Sequence, residues 1–235
     1  MAFRTIPTNR VLAALDPADR AILAPKLATG PMNAGDVLFD AGNPITAVYF
    51  PIVGQVSLLV VSEDGNEVES ASVGNEGVVG LGGLLSNDVS FSQQRVQIAG
   101  TAYSIGRSHF LEAVNASSSL RRVLATYHDA FAAQMLQSVF CQAKHRSHQR
   151  IARWLLNAFD SVADADLALT QDAVAGALGV RRATVTIALR WMVSGGLIEV
   201  GRGRISLLNR GGLELQACPC YAIIKSGYDS HTSSV

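Results

Sequence analysis

The rhythm of apolar residues changes along the chain. From Pro31 to Phe110 they come in short runs: Val37–Phe39, Ala47–Val53, Val56–Val61, Glu67–Val73, Arg95–Ala99 and Ala102–Ile105. Eleven of the 21 glycines fall in the same stretch and separate those runs. Short β-prone runs bounded by turn residues predict strands. Asp64-Gly65 between two of them predicts a hairpin. Many short strands at this spacing predict a small barrel or jelly roll. Ahead of it, Asp16 as N-cap and Pro17 at the first helical position predict a short helix continuing through Ala18 to Leu27.

After Ser117 the period lengthens. No glycine or proline interrupts the chain as far as Lys144, and Ser117, Ser118 and Ser119 are N-cap candidates. Leu120, Leu124, Tyr127, Phe131 and Met135 recur at helical spacing. Val123, Leu136, Val139 and Phe140 widen the stripe beyond what a helix resting on one small roll needs. This predicts a dimer seam through Leu120, Leu124, Tyr127, Phe131 and Met135, packed like a short coiled coil. The alternative is a helix buried within one chain. A second helix is predicted over Ser147 to Phe159, with Ile151, Trp154, Leu155 and Ala158 inward and Arg146, Arg150 and Arg153 solvated.

Residues 169–190 then follow a helix–turn–helix pattern. Thr170 can cap a first helix. Ala175 is small where two helices would cross. Gly179, four residues on, suits a left-handed turn. Val174, Leu178, Val185 and Leu189 give the pair its apolar faces. The second helix begins at Arg181-Arg182, where guanidiniums can reach guanine O6 and N7. Thr170, Gln171, Thr184 and Thr186 are candidate polar contacts, with the Thr184 and Thr186 hydroxyls suited to phosphates. Gly195-Gly196 ends that helix. Leu197–Val200 and Ile205–Leu208 read as a hairpin wing whose tip, Gly201-Arg202-Gly203-Arg204, puts Arg202 and Arg204 toward a phosphate backbone.

Charge sharpens this division. The 235 residues carry 19 basic and 19 acidic side chains. Residues 31–120 hold two basic against nine acidic residues, and residues 141–210 hold ten basic against five acidic. A basic back half points to nucleic acid. With 49% hydrophobic residues, wholesale disorder is excluded. Three cysteines, Cys141, Cys218 and Cys220, are too few for a secreted framework. The N-terminus lacks a signal-peptide core, and the longest charge-free stretch, 41–62, is cut by Gly and Pro and reads as strands, not a membrane span. A soluble cytoplasmic protein is expected.

Catalytic chemistry is thin. A metal-dependent jelly-roll enzyme needs imidazole ligands in its strands, but the histidines are at 109, 128, 145, 148 and 231. No nucleophile elbow, phosphate-binding P-loop or zinc-protease motif is present. Cys218-Pro219-Cys220 reads as two ordinary thiols in a tail, because a metal site needs more ligands nearby, and the final Ser226–Val235 segment is expected to fray. We therefore expect no enzyme, no metal site and no resident cofactor.

The order of elements resembles the cyclic AMP receptor protein and fumarate-nitrate regulator (Crp/Fnr) family. The resemblance spans about 16–212. It runs through Gly35-Asp36-Val37-Leu38-Phe39, Val48-Tyr49-Phe50, Glu63-Asp64-Gly65, the long helix, Gln149-Arg150-Ile151-Ala152-Arg153-Trp154-Leu155-Leu156 and the winged helix. It implies a homodimer whose paired recognition helices enter successive major grooves of a roughly palindromic operator, with contact to RNA polymerase. Two departures matter. Leu81 stands where nucleotide-binding members carry a ribose-gripping glutamate, and Arg95 is displaced from the phosphate-gripping position. The candidate effector pocket, Gly80, Leu81, Gly82, Gly83 and Arg95, is thus expected to take a small molecule other than cyclic AMP, or none. In the recognition helix Arg182 aligns with a guanine-reading arginine. Ala183 and Ile187 lack the polar ends of their counterparts, so the operator should differ; Ala183 suits a thymine methyl. The family's iron–sulfur sensor is not expected, since no cysteine precedes Cys141.

The expected architecture is α+β. A sensor roll spans 1–115, a dimerisation helix 116–145, a winged helix-turn-helix 146–215 and a tail 216–235. The expected function is sequence-specific transcription regulation. The rival readings are a constitutive regulator with a vestigial roll, and a ligand-binding module that controls a protein partner.

Overall fold

The computed structural model describes residues 9–82, 88–162 and 164–232, with side chains to residue 229. Two short helices open it, α1 (Arg10–Ala14) and α2 (Pro17–Leu23). Asn9 caps α1: its amide oxygen accepts from the Val11 and Leu12 N–H groups while its nitrogen donates to Pro51 and Gly77 carbonyls. Asp16 caps α2 as expected, accepting from Asp19 N–H. The helix stops before Leu27, passing into a 3₁₀ turn at Ala24–Lys26. Pro25 contributes to this, since it has no N–H to continue the ladder, while Ala24 itself keeps helical angles.

The roll contains β1 (Ala28–Met32), β2 (Val37–Phe39), β3 (Ala47–Val61), β4 (Glu67–Val73) and β5 (Gln93–Gly106). The strands are antiparallel in the order β1-β5-β3-β4, with β2 also on β5. The expected breaks between the runs at 47–53 and 56–61, and between 95–99 and 102–105, are not breaks. The chain stays extended through Gly54 and Gly100 with shifts of register. Gly54 has φ +95°, and a Cβ on Gly100 would lie 1.9 Å from the Val53 carbonyl oxygen. Here glycine admits a close crossing of two long strands; it does not end them. The Asp64-Gly65 hairpin forms as expected, with Gly65 at φ +80°.

Helix α3 (Arg107–Ala116) leads into α4 (Ser118–Lys144), capped by the Ser117 hydroxyl, which accepts from Leu120 N–H at 3.0 Å. Then come α5 (Ser147–Asp160), β6 (Asp166–Leu167), α6 (Gln171–Leu178), α7 (Arg182–Ser194), β7 (Ile198–Gly201), β8 (Arg204–Leu207), α8 (Arg210–Gln216) and α9 (Cys220–Thr232). Strands β6, β8 and β7 form a small antiparallel sheet with β8 central.

One core fills the roll and the inner face of α4; a second fills the winged helix and takes in Ile98 of β5. Three expectations are corrected here. Leu120, Leu124 and Tyr127 lie in the chain's own core, Tyr127 donating to the Val78 carbonyl at 3.1 Å. Phe131 packs half-buried on the same core, and Met135 is half-buried. The regular stripe thus packs α4 on its own roll, and Leu120, Leu124 and Tyr127 are closed to a partner. The expected tail is helical where it is described, with 233–235 outside the described residues: α9 lies along α4, burying Ile224 and Tyr228, and Tyr228 donates to the Gln134 side chain at 2.5 Å. Finally, Arg150 and Arg153 are buried rather than solvated. Arg150 donates to the Leu178 carbonyl at 2.7 Å and to Gln142, holding α5 against α6.

Strand β4 packs directly on α6. Val68 lies beneath Gly179, Gln97 of β5 donates to the Ala173 carbonyl at 3.4 Å, and Trp154 of α5 donates to Glu69 at 3.0 Å. Among the described residues no helix is long and apolar enough to cross a membrane.

Candidate nucleic-acid interface

The helix-turn-helix forms because each local signal agrees with the next. Thr170 caps α6 through its hydroxyl, which accepts from Ala173 N–H at 3.1 Å. Gly179 takes the left-handed conformation, φ 60° and ψ 40°, and Val180 N–H returns to the Ala175 carbonyl at 3.0 Å. That is the glycine-terminated stop that satisfies a helix's last carbonyls. Val174, Ala175, Ala177 and Leu178 then meet Val185, Ala188, Leu189 and Met192 of α7 in one core.

This packing turns the other face of α7 outward. Arg181, Arg182, Ala183, Ile187, Arg190 and Trp191 are exposed. Arg182 pairs with Asp172 at 3.1 Å, with the two side chains 66% and 63% exposed. An ion pair this wet contributes about 0–1 kcal/mol, so a base edge can compete for the guanidinium. Thr184 is half-buried. Thr186 donates its hydroxyl proton to Gln171 at 2.6 Å, so the two residues are brought together and fix α7 against α6. The hydroxyl proposed for phosphate is spent within the protein. The wing turns at Gly203 (φ 67°) with Arg202 and Arg204 exposed; Arg204 also faces Asp166 at 3.4 Å.

Sequence reasoning missed one part of this surface. His148, Thr184, Ile187, Ala188 and Trp191 line a shallow, mostly apolar groove beside the recognition helix, with the His148 and Trp191 rings 6.0 Å apart. Ile187 is 68% exposed and Trp191 49%. The signal was there, since 184, 187, 188 and 191 share one helical face.

Comparison with known proteins matches the same two halves. Residues 31–117 match the profile described as a cyclic nucleotide-binding domain, and residues 149–215 the one described as a Crp-like helix-turn-helix domain. The chain is 28% identical over 190 residues to the transcriptional regulator SdrP of Thermus thermophilus, covering 77% of this chain and 90% of that one. A Crp/Fnr-family transcriptional regulator of known structure, also from Thermus thermophilus, superposes with a TM-score of 0.64 at 26% identity, covering 81% of this chain and 98% of the other. FixK2 from Bradyrhizobium japonicum shares the fold, with a TM-score of 0.64 at 21% identity and coverage of 82% and 98%.

The chain belongs to the Crp/Fnr family.

Its members are DNA-binding transcription regulators, and that role is assigned to this chain. The roll of this Crp/Fnr protein treats its candidate effector residues differently from the DNA face. Leu81 is buried in the roll's core. The Gly80 N–H already donates to the Gln94 side chain at 3.1 Å, and Gln94 in turn donates to Ser90 at 3.0 Å. A Cβ on Gly80 would lie 2.8 Å from the Ala47 carbonyl, so its glycine serves a close backbone approach. Gly82 is exposed, and Gly83 lies outside the described residues. Arg95 pairs with Glu67 at 2.6 Å, beside Gly176 of α6. Among the described residues, Gly80, Leu81 and Arg95 are each engaged by other parts of the protein. Arg95 instead serves the contact between roll and DNA-binding domain.

Glu69 sits at that same contact. It accepts from Ser57 and from the Trp154 indole, and its carboxyl is nevertheless pushed up to about 7. Burial disfavours the anion more than these donors and the Arg153 charge favour it.

Elsewhere, folding brings together four residues that the sequence left apart. Cys141 and His145 at the end of α4 meet Cys218 and Cys220 at the start of α9.

Proposed function

We propose that the protein regulates transcription as a homodimer, reading a two-fold symmetric DNA site with Arg181, Arg182 and Ala183 of paired α7 helices while Arg202 and Arg204 of the wings hold phosphates. The observation that carries this is the outward face of α7: a basic N-terminal end, exposed, on a helix whose opposite face is sealed into the core. Ile187 and Trp191 extend that face and suit thymine methyls and sugar edges. Gln171 and Thr186 orient it, and Thr170 holds α6 in place. In this reading the protein acts on DNA in the cytoplasm and contacts RNA polymerase, as the resemblance to the family implies.

The dimer face moves from the expected stripe to the other side of α4. Ala125, Asp129, Ala132, Leu136, Val139 and Ala143 recur in a heptad pattern. Leu136 is 74% exposed, Val139 69% and the neighbouring Phe140 51%. Apolar side chains this open on one helix are what a coiled-coil pairing would cover.

The roll is not read as a cyclic AMP site. Its glutamate is replaced by a core leucine, its backbone donor is occupied and its arginine is paired. A small effector of another kind, or a roll that no longer senses, fits these facts. Selection from random DNA should return a symmetric operator; no sequence preference at moderate salt would leave only a module acting on a protein partner. Calorimetry should show no tight binding of cyclic AMP. Tight binding would restore the ordinary sensor.

A further inference from the structure

The strongest unexplained feature lies at the elbow between α4 and α5. The Sγ atoms of Cys141, Cys218 and Cys220 and a ring nitrogen of His145 all lie within 4.8 Å of one another. Cys141 and Cys218 sulfurs are 3.4 Å apart, and Cys220 sulfur is 3.4 Å from His145 Nδ1. The three cysteines are sealed from solvent, and His145 is half-buried with its ring against Phe140 at 5.5 Å. A tetrahedral ion with bonds of about 2.3 Å to sulfur and 2.0–2.1 Å to nitrogen separates its ligands by roughly 3.5–3.8 Å. The four atoms are already near that spacing. An iron–sulfur cluster would need its thiolates spread farther apart, around several irons and bridging sulfides.

The surroundings fit an anionic centre. Arg150 and Arg153 are buried, and the Nε of each finds no hydrogen-bond acceptor among the described residues. Two buried guanidiniums beside neutral thiols would lack a counter-charge, apart from Glu69 near Arg153. Three thiolates and a neutral imidazole around a divalent cation carry a net charge of −1, which supplies one. Gln137 donates an N–H to Cys220 sulfur at 3.0 Å, as outer partners of metal thiolates do.

We propose that Cys141, His145, Cys218 and Cys220 hold one tetrahedral zinc-type divalent cation that clamps the start of α9 to the α4–α5 elbow. Binding displaces the three thiol protons to solvent and changes no oxidation state. The clamp fixes the point where the pairing helix hands over to the DNA-binding domain, through His145 and the adjoining Arg146. It also explains why the chain after α8 folds back along α4. The sequence concealed the site because its two ligand pairs, Cys-x3-His and Cys-x-Cys, are more than 70 residues apart.

The test uses the full-length protein purified under reducing conditions from zinc-containing medium. Elemental analysis should find one zinc per chain. Cobalt exchanged into the site should show thiolate-to-cobalt charge-transfer bands and the intense visible bands of tetrahedral cobalt. Cys220→Ser should weaken cobalt binding by at least about tenfold, whereas His145→Cys should retain tetrahedral cobalt with added thiolate absorption. Far-UV circular dichroism checks that both variants fold, and the wild-type metal count stands whether they do or not. Metal-free protein whose three thiols all react with a thiol reagent in the native state would overturn the proposal. So would a Cys141–Cys218 disulfide, seen as a mass lower by two hydrogens, or iron with acid-labile sulfide.

Discussion

The two halves of this protein handle polar groups in opposite ways. In the roll, three polar groups at or beside the candidate effector residues are engaged by the protein itself: Gly80 N–H by Gln94, Gln94 by Ser90, Arg95 by Glu67. In the winged helix, Arg181, Arg182, Arg190 and Arg202 stand exposed on a rigid scaffold. A buried polar group must find a partner, and where the chain provides it no ligand is required. An exposed guanidinium on a packed helix costs little to keep and is available to a partner. The DNA face thus reads as a working site and the roll as a regulatory body whose charged groups have turned toward the contact with α6.

Four changes probe that contrast. The largest effect is expected at the proposed pairing face. Leu136→Glu places a charge in each half of an apolar seam. It should convert dimer to monomer by analytical ultracentrifugation and weaken operator binding by roughly 100-fold or more, because linked half-sites lose their shared avidity. An unchanged dimer would return the seam to another surface. Next is the DNA face itself. Arg182→Ala should cost about 1–3 kcal/mol at one base pair of the selected operator, while Arg202→Ala should weaken all sequences alike and lower the salt slope by about one. An equal loss on all sequences for Arg182→Ala would make it a phosphate contact.

How legible each half was in the sequence follows the range of the forces involved. Thr170, Gly179 and the α6–α7 apolar spacing act within a turn or two, so the helix-turn-helix could be read directly, as could β4 and the Asp64-Gly65 turn. Gly54 and Gly100 misled because glycine ends some strands and lets others cross, and only the Val53 carbonyl facing Gly100 tells which. The stripe from Leu120 to Met135 was real, but periodicity marks a buried face without naming what buries it. The more broken set ending in Leu136, Val139 and Phe140 was the exposed one. Arg150, Arg153 and the four thiol and imidazole ligands were out of reach, since their environment is assembled from α4, α5 and the α8–α9 link.

The third change tests the junction between the halves. Glu69 is held at about 7 in the folded protein, above the ordinary carboxylate value of 4.5. A raised carboxyl binds its proton more tightly when folded. Its contribution is therefore fully present below about pH 4.5 and is lost as pH rises toward 7. The whole shift would amount to roughly 3 kcal/mol, but the residue is only half-buried, so about 1–2 kcal/mol is expected. Relative to Glu69→Gln, wild-type stability to urea should decline across that window. Parallel curves would show that Glu69 ionises freely and carries no strain between β4 and α5.

The smallest effect separates scaffold from contact. Thr170 is exposed, yet its hydroxyl caps α6. Thr170→Ala should cost about 1 kcal/mol of stability, seen as a fall of roughly 2–4 °C in Tm for a chain of this size. Thr170→Ser keeps the cap and should restore most of it. If Thr170 serves only α6, both variants should bind the operator with wild-type salt dependence once folded. If the hydroxyl also reaches a phosphate, Thr170→Ala should bind more weakly on every sequence while Thr170→Ser does not. That outcome would move the edge of the DNA face from α7 onto the start of α6, and would make the cap a group shared between fold and ligand, a sharing for which the roll shows no counterpart among its described residues.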